Sequence, residues 1–193
     1  MKLDCDTTII GGGPIGAAFA LALRHSGLDV TLLEARDAPS TETRTLALSY
    51  GSKLLLQKFG AWPDEATPIT AIHVSERGSF GRTLLKADEL EVPALGYVLT
   101  YSALQATLDE ALKATGIKVL RGARAEKIST DADQATVTFT QNNSAQTIAS
   151  KLLVLADGGN LLSMIDGVKL EEKDYGQQAI LARVKTELPH NHL

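Results

Sequence analysis

The nine residues 8–16, TIIGGGPIG, constrain this chain more than any other segment. A β-branched run leads into a glycine-rich turn and then directly into an Ala- and Leu-rich segment that is typical of a buried helix. Gly11, Gly13 and Gly16 have the spacing G-x-G-x-x-G, which permits a tight turn, close approach of a pyrophosphate to the backbone, and packing of helix on strand. Pro14 suits the first helical turn, and the free N–H groups of a helix N-terminus favour an anion. The segment therefore predicts a nucleotide-binding strand–turn–helix unit.

The residues that follow complete such a unit. We predict a helix from Ala17 to His25, ended by Ser26-Gly27, and a second parallel strand from Asp29 to Leu33 that ends at Glu34. An acid about 20 residues beyond the glycines is placed to accept hydrogen bonds from a ribose 2′-hydroxyl and to repel a 2′-phosphate. The pattern therefore favours FAD or NAD over NADP. The alternative is a glycine turn in another kind of α/β protein, with Glu34 on the surface.

Composition narrows the partners and the compartment. The 193 residues carry a net charge of −4, and Lys and Arg are scattered, so we expect no nucleic-acid partner. Cys5 is the only cysteine, which excludes a disulfide within the chain, fits a reducing cytoplasm and predicts a small core or edge residue. The four histidines lack the spacing of metal ligands, so no metal is expected. No apolar run approaches the length of about 18 residues that a membrane span needs, so any association with the inner face of a membrane would be peripheral.

Beyond Glu34 the pattern predicts that the chain leaves the first sheet and later returns to it. The predicted elements are a helix from Arg44 to about Phe59, strands at Ile69–Ser75 and Arg82–Leu85 in a second sheet, a strand at Tyr97–Thr100, a helix from Ser102 to Ala114, and a strand at Ile117–Leu120. This last strand follows a helix stopped by Gly116 and would rejoin the first sheet.

The last third of the chain is predicted to hold a hairpin and a central strand. Ala135–Thr140 and Thr147–Ala149 flank the turn-prone cluster QNNS and predict the hairpin. The apolar run Leu152–Leu155 is typical of a parallel strand buried on both faces, and it ends at Asp157-Gly158, on the sheet edge where ligands bind. A further strand is predicted from Gln178 to Lys185.

Segments spread over essentially the whole chain carry a family resemblance. They are Gly11–Gly16 with Ala20, LLEAR ending at Arg36, RTLALS from Arg44 to Ser49, Gly96-Tyr97-Val98, Leu104-Gln105, and Ala156-Asp157-Gly158. Together they resemble the flavoprotein aromatic hydroxylases, and Arg44–Ser52 and Thr67–Gly81 are most similar to the branch that acts in ubiquinone biosynthesis. The resemblance implies an enzyme that uses NAD(P)H and dioxygen to hydroxylate a prenylated phenol, and it allows a complex with other enzymes of that pathway.

The resemblance also implies FAD bound in an extended pose. The glycine-rich turn would lie at the diphosphate, Glu34 at the adenosine ribose and Arg36 near the adenosine, while Arg44 and Gln105 would lie near the diphosphate. Ala125 would approach the adenine through its backbone. The implied cofactor-binding residues are Gly11, Gly13, Pro14, Ile15, Gly16, Glu34, Ala35, Arg36, Arg44, Gln105, Ala125, Asp157 and Gly158. No catalytic base is assigned.

The elements and the resemblance together predict an α/β fold with two domains. The first is a Rossmann-like FAD-binding domain with a parallel sheet and a β-hairpin insertion, and the second is part of a mixed-sheet substrate domain. Residues 1–68 and 101–165 would form the first domain, residues 69–100 would be an excursion into the second, and residues 166–193 would continue the second.

The chain departs from the family pattern at three points. Ser102 stands three residues before Gln105, where many members carry an arginine, which removes one expected flavin contact. Asp157-Gly158 continues as GNLLSM instead of through a Ser and an Arg, which leaves the handling of the pyridine nucleotide open. Members are about twice as long as this chain, as one flavin and one substrate domain require, and they carry a second Gly-Asp element near the ribityl chain. We therefore expect an N-terminal portion that binds FAD weakly and does not hydroxylate alone.

Two other functions remain open at this point. One is an NAD-linked oxidoreductase, and the other is a dinucleotide-binding domain without turnover. A tightly bound yellow chromophore would distinguish a flavoprotein from the first of these.

Overall fold

The computed structural model describes residues 3–78, 80–165, 167–180, 182 and 187. The chain divides into two compact units. The first unit comprises the described residues within Met1–Thr41 and Gln105–Lys173, and the second comprises those within Glu42–Leu104 and Asp174–Leu193.

The first unit is built on one six-stranded sheet. Its strands are β1 (Cys5–Ile10), β2 (Val30–Glu34), β8 (Lys118–Arg121), β9 (Arg124–Thr130), β10 (Ala135–Gln141) and β11 (Ser144–Leu155). The order is β8-β2-β1-β11-β10-β9, in which β8, β2, β1 and β11 pair in parallel and β10 and β9 pair antiparallel. The predicted α/β class is therefore confirmed, and β8 does return the chain to the first sheet.

Helix α1 (Pro14–Leu23) connects β1 to β2, and it buries small residues. Ala17 and Ala20 are fully buried, which allows the helix axis to lie close to the sheet. The core on the sheet includes Cys5, Ile10, Leu33, Val137 and Phe139. The prediction that Cys5 is a small core residue is confirmed.

The predicted hairpin joins β10 to β11. Asn142 and Asn143 both have positive φ, 52° and 59°, as a two-residue turn of the favoured twist requires. The two strands predicted on either side of Ser150 are instead one strand of 12 residues. Its first half pairs antiparallel with β10 and its second half pairs in parallel with β1, so both patterns belong to β11.

The expectation that Leu152–Leu155 is buried on both faces is wrong. Leu152 is 52% exposed, and the three residues after it are only partly buried. In parallel sheets crossover helices cover the faces. Within the described residues, β11 is followed only by a 3-10 turn at Leu162–Met164, which is too short to cover a strand.

The described residues of the second unit form two small sheets, one whole α-helix and the start of another. Its elements are β3 (Thr45–Ser49), α2 (Tyr50–Phe59), β4 (Thr67–Ile69), β5 (Ala71–Ser75), β6 (Arg82–Lys86), β7 (Gly96–Thr100) and the first residues of α3 (Tyr101–Lys113). One sheet has the order β3-β7-β4 and the other is the pair β5-β6. The described pairs in both sheets are antiparallel, whereas a mixed sheet was expected.

The predicted helix from Arg44 is wrong in its first half. Thr45–Ser49 is a strand because its backbone pairs with β7, and Leu46 lies opposite Leu99. The helix begins only at Tyr50, where the Ser49 hydroxyl accepts the Ser52 N–H at 3.1 Å as an N-cap.

The strand predicted from Gln178 to Lys185 is absent from the described residues of that segment. Residues 178–180 and 182 have no regular secondary structure, and the others lie outside the described residues. Within the described part of the chain, no helix is long and apolar enough to cross a membrane.

Candidate functional site

The glycine-rich turn lies between β1 and α1, at the carboxyl edge of the parallel strands. Gly11 has φ +98°, and a Cβ there would lie 2.5 Å from the carbonyl oxygen of Ala156. A Cβ on Gly16 would collide with the carbonyl oxygen of Gly11. Only bare backbone fits at these two positions, so the turn can pack against both its own helix and the end of β11.

Gly13 is the N-cap of α1, and its backbone is ordinary, with φ −64° and ψ −179°. Pro14 follows in the first turn, and the exposed side chain of Ile15 comes next. The first turn contains no acidic residue. Because the first N–H groups of a helix lack intrahelical partners and lie at the positive end of the dipole, this end suits an anion.

Glu34, at the end of β2, is only 6% exposed. Its Oε1 accepts the backbone N–H of Arg36 at 2.7 Å and the Arg36 Nε–H at 3.0 Å, while Oε2 accepts Arg36 Nη2 at 2.9 Å. A Cβ on Gly12 would lie 2.5 Å from Oε2, so the glycine turn and the acid are packed together.

Burial raises the pKa of the Glu34 carboxyl, but hydrogen bonds from the Arg36 side chain and backbone, the Arg36 charge and the Gly12 N–H together hold it below its ordinary value of 4.5. Glu34 is therefore ionised at neutral pH. An ionised, nearly buried carboxylate that already fixes the turn is chemically suited to accept hydroxyl hydrogen bonds.

This lowered pKa predicts how stability depends on pH. A group with a depressed folded-state pKa contributes its stabilisation in full above its unfolded value and loses it as pH falls through the folded value. We expect the difference in free energy of unfolding between wild type and Glu34→Gln to be constant from pH 7 to about pH 5 and to shrink below about pH 4. Urea unfolding at each pH measures it. A difference that stays constant down to pH 3 would contradict the ionised state assigned to Glu34.

Gln105, in α3, is fully buried and reaches the same turn. Its Nε2 donates to the Gly12 carbonyl at 2.8 Å and to Asp109 Oδ1 at 2.9 Å. Arg121, at the end of β8, forms an ion pair with the same Asp109 oxygen at 3.2 Å. Sequence reasoning singled out Gln105 but missed Asp109 and Arg121, and the four-residue spacing of Gln105 and Asp109 on one helix face was the available signal.

Asp157 organises the loop after β11. Its Oδ1 accepts the Gly159 N–H at 3.0 Å and its Oδ2 accepts the Leu161 N–H at 2.8 Å, while Gly158 has φ +77°. The Asn160 side-chain amide donates to the Asp157 carbonyl. The carboxylate therefore holds its own loop next to Gly11, whose Cβ position lies 2.9 Å from the Asp157 nitrogen.

The remaining predicted residues lie in different places. Ala35 is exposed directly after Glu34. Ala125 is the second residue of β9, opposite Phe139, and this end of β9 lies close to β2 because the Ala123 N–H donates to the Glu34 carbonyl at 3.0 Å. Arg44 belongs to the second unit, where it pairs with Glu42 at 3.0 Å and lies over the Tyr101 ring. The first unit thus contains every predicted site residue except Arg44. The role of each of these residues in binding a cofactor stays a prediction.

A mainly parallel sheet, a glycine turn that admits no side chain at Gly11 and Gly16, and a buried acid at the end of β2 define a dinucleotide-binding domain. The profile of the FAD binding domain family matches residues 4–175, so the chain belongs to that family. Of the two dinucleotides that the sequence pattern favours, FAD and NAD, this match identifies FAD as the cofactor.

Individual relatives are more distant. The chain is 30% identical over 196 residues to the 3-demethoxyubiquinol 3-hydroxylase of Escherichia coli, covering 94% of this chain and 49% of that protein. It is 29% identical over 195 residues to the ubiquinone hydroxylase UbiL of Rhodospirillum rubrum, covering 96% and 44%. The chain therefore spans about half the length of these curated relatives.

Among solved structures, the OxyS anhydrotetracycline hydroxylase of Streptomyces rimosus is similar with a TM-score of 0.71. The sequence identity is 20%, and the match covers 88% of this chain and 35% of that one. This likeness shows that the two chains share a fold.

Proposed function

We propose that this chain is the FAD-binding portion of a flavin monooxygenase that hydroxylates a polyprenylated phenol in ubiquinone biosynthesis, using NAD(P)H and O2. The observation that carries the binding role is the Glu34 carboxylate, which is nearly buried, ionised and packed directly against Gly12 of the glycine turn. A diphosphate at the helix N-terminus and a ribose at the end of β2 fit these groups.

In this proposal each group of the chain has a defined task. Gly11 and Gly16 keep the turn narrow, and Gly13, Pro14 and Ile15 present the start of α1 to the diphosphate. Glu34 accepts ribose hydroxyls, with Ala35, Arg36 and the Ala125 backbone toward the adenosine. The other residues of the proposed FAD site are Gln105, Arg44, Asp157 and Gly158. FAD supplies the redox chemistry when bound, and the protein orients it and excludes water.

The substrate class rests on relatives that are named ubiquinone hydroxylases, and we favour an activity like that of 2-octaprenyl-6-methoxyphenol hydroxylase. A phenol with a polyprenyl chain partitions into membranes, so the whole protein would act as a peripheral protein at the inner face of a membrane, with other enzymes of the pathway as partners. Activity of the whole protein on small soluble phenols and on no prenylated phenol would contradict this assignment.

The visible absorption spectrum of the purified 193-residue chain, mixed with FAD and freed of excess, tests the binding role. We expect the absorbance of a weakly retained flavin, which denaturation releases as FAD. We expect no substrate-dependent NAD(P)H oxidation by this chain alone. Tight stoichiometric flavin together with coupled hydroxylation would contradict the proposal that this chain is only the FAD-binding portion of the enzyme.

Glu34→Ala is predicted to weaken FAD binding by about 10- to 100-fold. The variant loses charge-assisted hydrogen bonds to the ribose, which are worth roughly 1.5–3 kcal/mol each. Quenching of flavin fluorescence during titration measures the affinity. Glu126→Ala is the matched control, because Glu126 is an exposed acid of the same unit that accepts one hydrogen bond from Thr140. Equal affinities for wild type and Glu34→Ala would remove the role assigned to Glu34.

A further inference from the structure

The Gln105 side chain is buried in an orientation that leaves part of it unsatisfied. Nε2 makes two hydrogen bonds, to the Gly12 carbonyl and to Asp109. Oε1 is buried and has no hydrogen-bond partner among the described residues. A buried acceptor without a partner carries a free-energy cost, so the neighbours of Gln105 must impose this orientation.

Asp109 is the neighbour that selects it. Turning the Gln105 amide over would place Oε1 against two acceptors, the Gly12 carbonyl and the Asp109 carboxylate, with no proton between them. The negative charge of Asp109 makes that reversal the less favourable state. With Asp109 in place, both Nε2 protons of Gln105 are donated in hydrogen bonds, one to Asp109 and the other to the Gly12 carbonyl.

Arg121 fixes Asp109 from the sheet. Its Nη2 lies 3.2 Å from Asp109 Oδ1, and its backbone lies opposite Glu34 in the β2–β8 register. The Arg121 carbonyl in turn accepts the Gln141 amide at 2.7 Å. The carboxylate is therefore held between α3 and the end of β8, with its side chain 13% exposed.

The effect of this arrangement falls on the peptide group between Gly12 and Gly13. The Gly12 carbonyl accepts from Gln105 Nε2 and, at 3.3 Å, from Arg36 Nη2. In a trans peptide the C=O and the following N–H point in opposite directions. Holding the Gly12 carbonyl on the Gln105 side therefore aims the Gly13 N–H to the opposite side of the turn.

We propose that Asp109 and Arg121 are positioning residues of the FAD site, which act through Gln105 to orient the Gly12–Gly13 peptide so that the Gly13 N–H faces the diphosphate. The inference rests on the proposed function, because it requires the glycine turn to be the diphosphate site. Asp109 and Arg121 need not touch FAD to affect its affinity.

Fluorescence titration of the 193-residue chain with FAD tests this. Asp109→Ala removes one of the two acceptors that orient the Gln105 amide and so loosens its bond to the Gly12 carbonyl. We expect about a tenfold loss of affinity, equal to roughly 1.4 kcal/mol. Asp109→Asn keeps an oxygen that can accept from both Gln105 and Arg121, so it should stay within about threefold of wild type. Glu110→Ala is the control, because it removes an exposed acid and its Lys113 ion pair from the same helix and should leave the affinity unchanged.

A double-mutant cycle separates positioning from general stability. Gln105→Leu should weaken FAD binding by itself, and adding Asp109→Ala to it should cause no further loss. Circular dichroism measures the melting temperature of each apoprotein. If Asp109→Ala lowers that temperature, Arg121→Gln replaces it in the test, and we expect this variant to lose about threefold in FAD affinity. Additive losses, or an Asp109→Ala affinity equal to wild type while Glu34→Ala is weakened, would overturn this inference and leave the proposed function standing. Wild-type-like binding in Glu34→Ala and Gly13→Val would overturn both.

Discussion

Gly11→Ala is expected to lower the free energy of unfolding of the first unit by about 3 kcal/mol or more. Two effects add. A non-glycine residue at φ +98° is strained by roughly 1–3 kcal/mol, and the new Cβ would lie 2.5 Å from the Ala156 carbonyl oxygen, so backbone must move on one side. Amide hydrogen exchange of peptides from β1 and β2 measures the loss, because the only tryptophan, Trp62, belongs to the second unit.

Gly27→Ala separates the two effects of Gly11→Ala. Gly27 also has positive φ, +77°, but a Cβ there would meet nothing within 4 Å. Gly27→Ala should lower the free energy of unfolding by only about 1 kcal/mol, because only the backbone conformation is strained. Trp62 fluorescence should report an unchanged second unit in both variants. Equal losses for Gly11→Ala and Gly27→Ala would show that the turn does not depend on its contact with β11.

The nucleotide-binding unit was predictable because its information is local. The three glycines, α1 and Glu34 follow one another within 24 residues, and each has a backbone or burial requirement that few residue types meet. Glu34 as a buried acid at a strand end follows from the same pattern. Arg36, two residues away, fixes this acid by bonding to Glu34 and to the Gly12 carbonyl. Its expected place beside the adenosine stays a prediction.

The errors arise where pairing over a long sequence distance decides the structure. Thr45–Ser49 has residues that a helix accepts, yet it is a strand because β7, about 50 residues later, supplies its hydrogen bonds. Strand β9, RAEKIST, is an error of another kind, because its partner β10 begins only five residues after β9 ends. It was not predicted because its charged residues hide the alternation of a strand.

The same reason explains the residues of the site that sequence analysis missed. The four-residue spacing of Gln105 and Asp109 is local. Arg121 on another strand, and the Gly12 carbonyl nearly 100 residues earlier, meet this pair only in the folded sheet, and no local pattern encodes that meeting. Asp157, by contrast, was found from its place after an apolar run, but its carboxylate bonds to its own loop, which a motif does not reveal.

Gly13→Val is predicted to weaken FAD binding by more than about 100-fold, a larger effect than that of Glu34→Ala. Gly13 has φ −64°, which any residue adopts, and its carbonyl accepts the Ala17 N–H at 2.9 Å, so the variant can keep the backbone of the turn and of α1. A hydrogen bond from backbone N–H to a phosphate oxygen needs about 2.9 Å, and two branched methyl groups beside it would keep the diphosphate away. Flavin titration measures the affinity, and circular dichroism measures the melting temperature.

A size series makes the Gly13 test specific to the diphosphate. Gly13→Ala should fall between wild type and Gly13→Val in affinity, because one methyl group obstructs less of the turn than a branched side chain. Gly116→Val is the control, since Gly116 lies in the turn before β8 and a Cβ there would meet nothing within 4 Å. The melting temperature should fall far less than the affinity across the Gly13 series. If Gly13→Val instead binds FAD as wild type does, the diphosphate does not approach this turn, and the Gly13 N–H aimed away from Gln105 has another use.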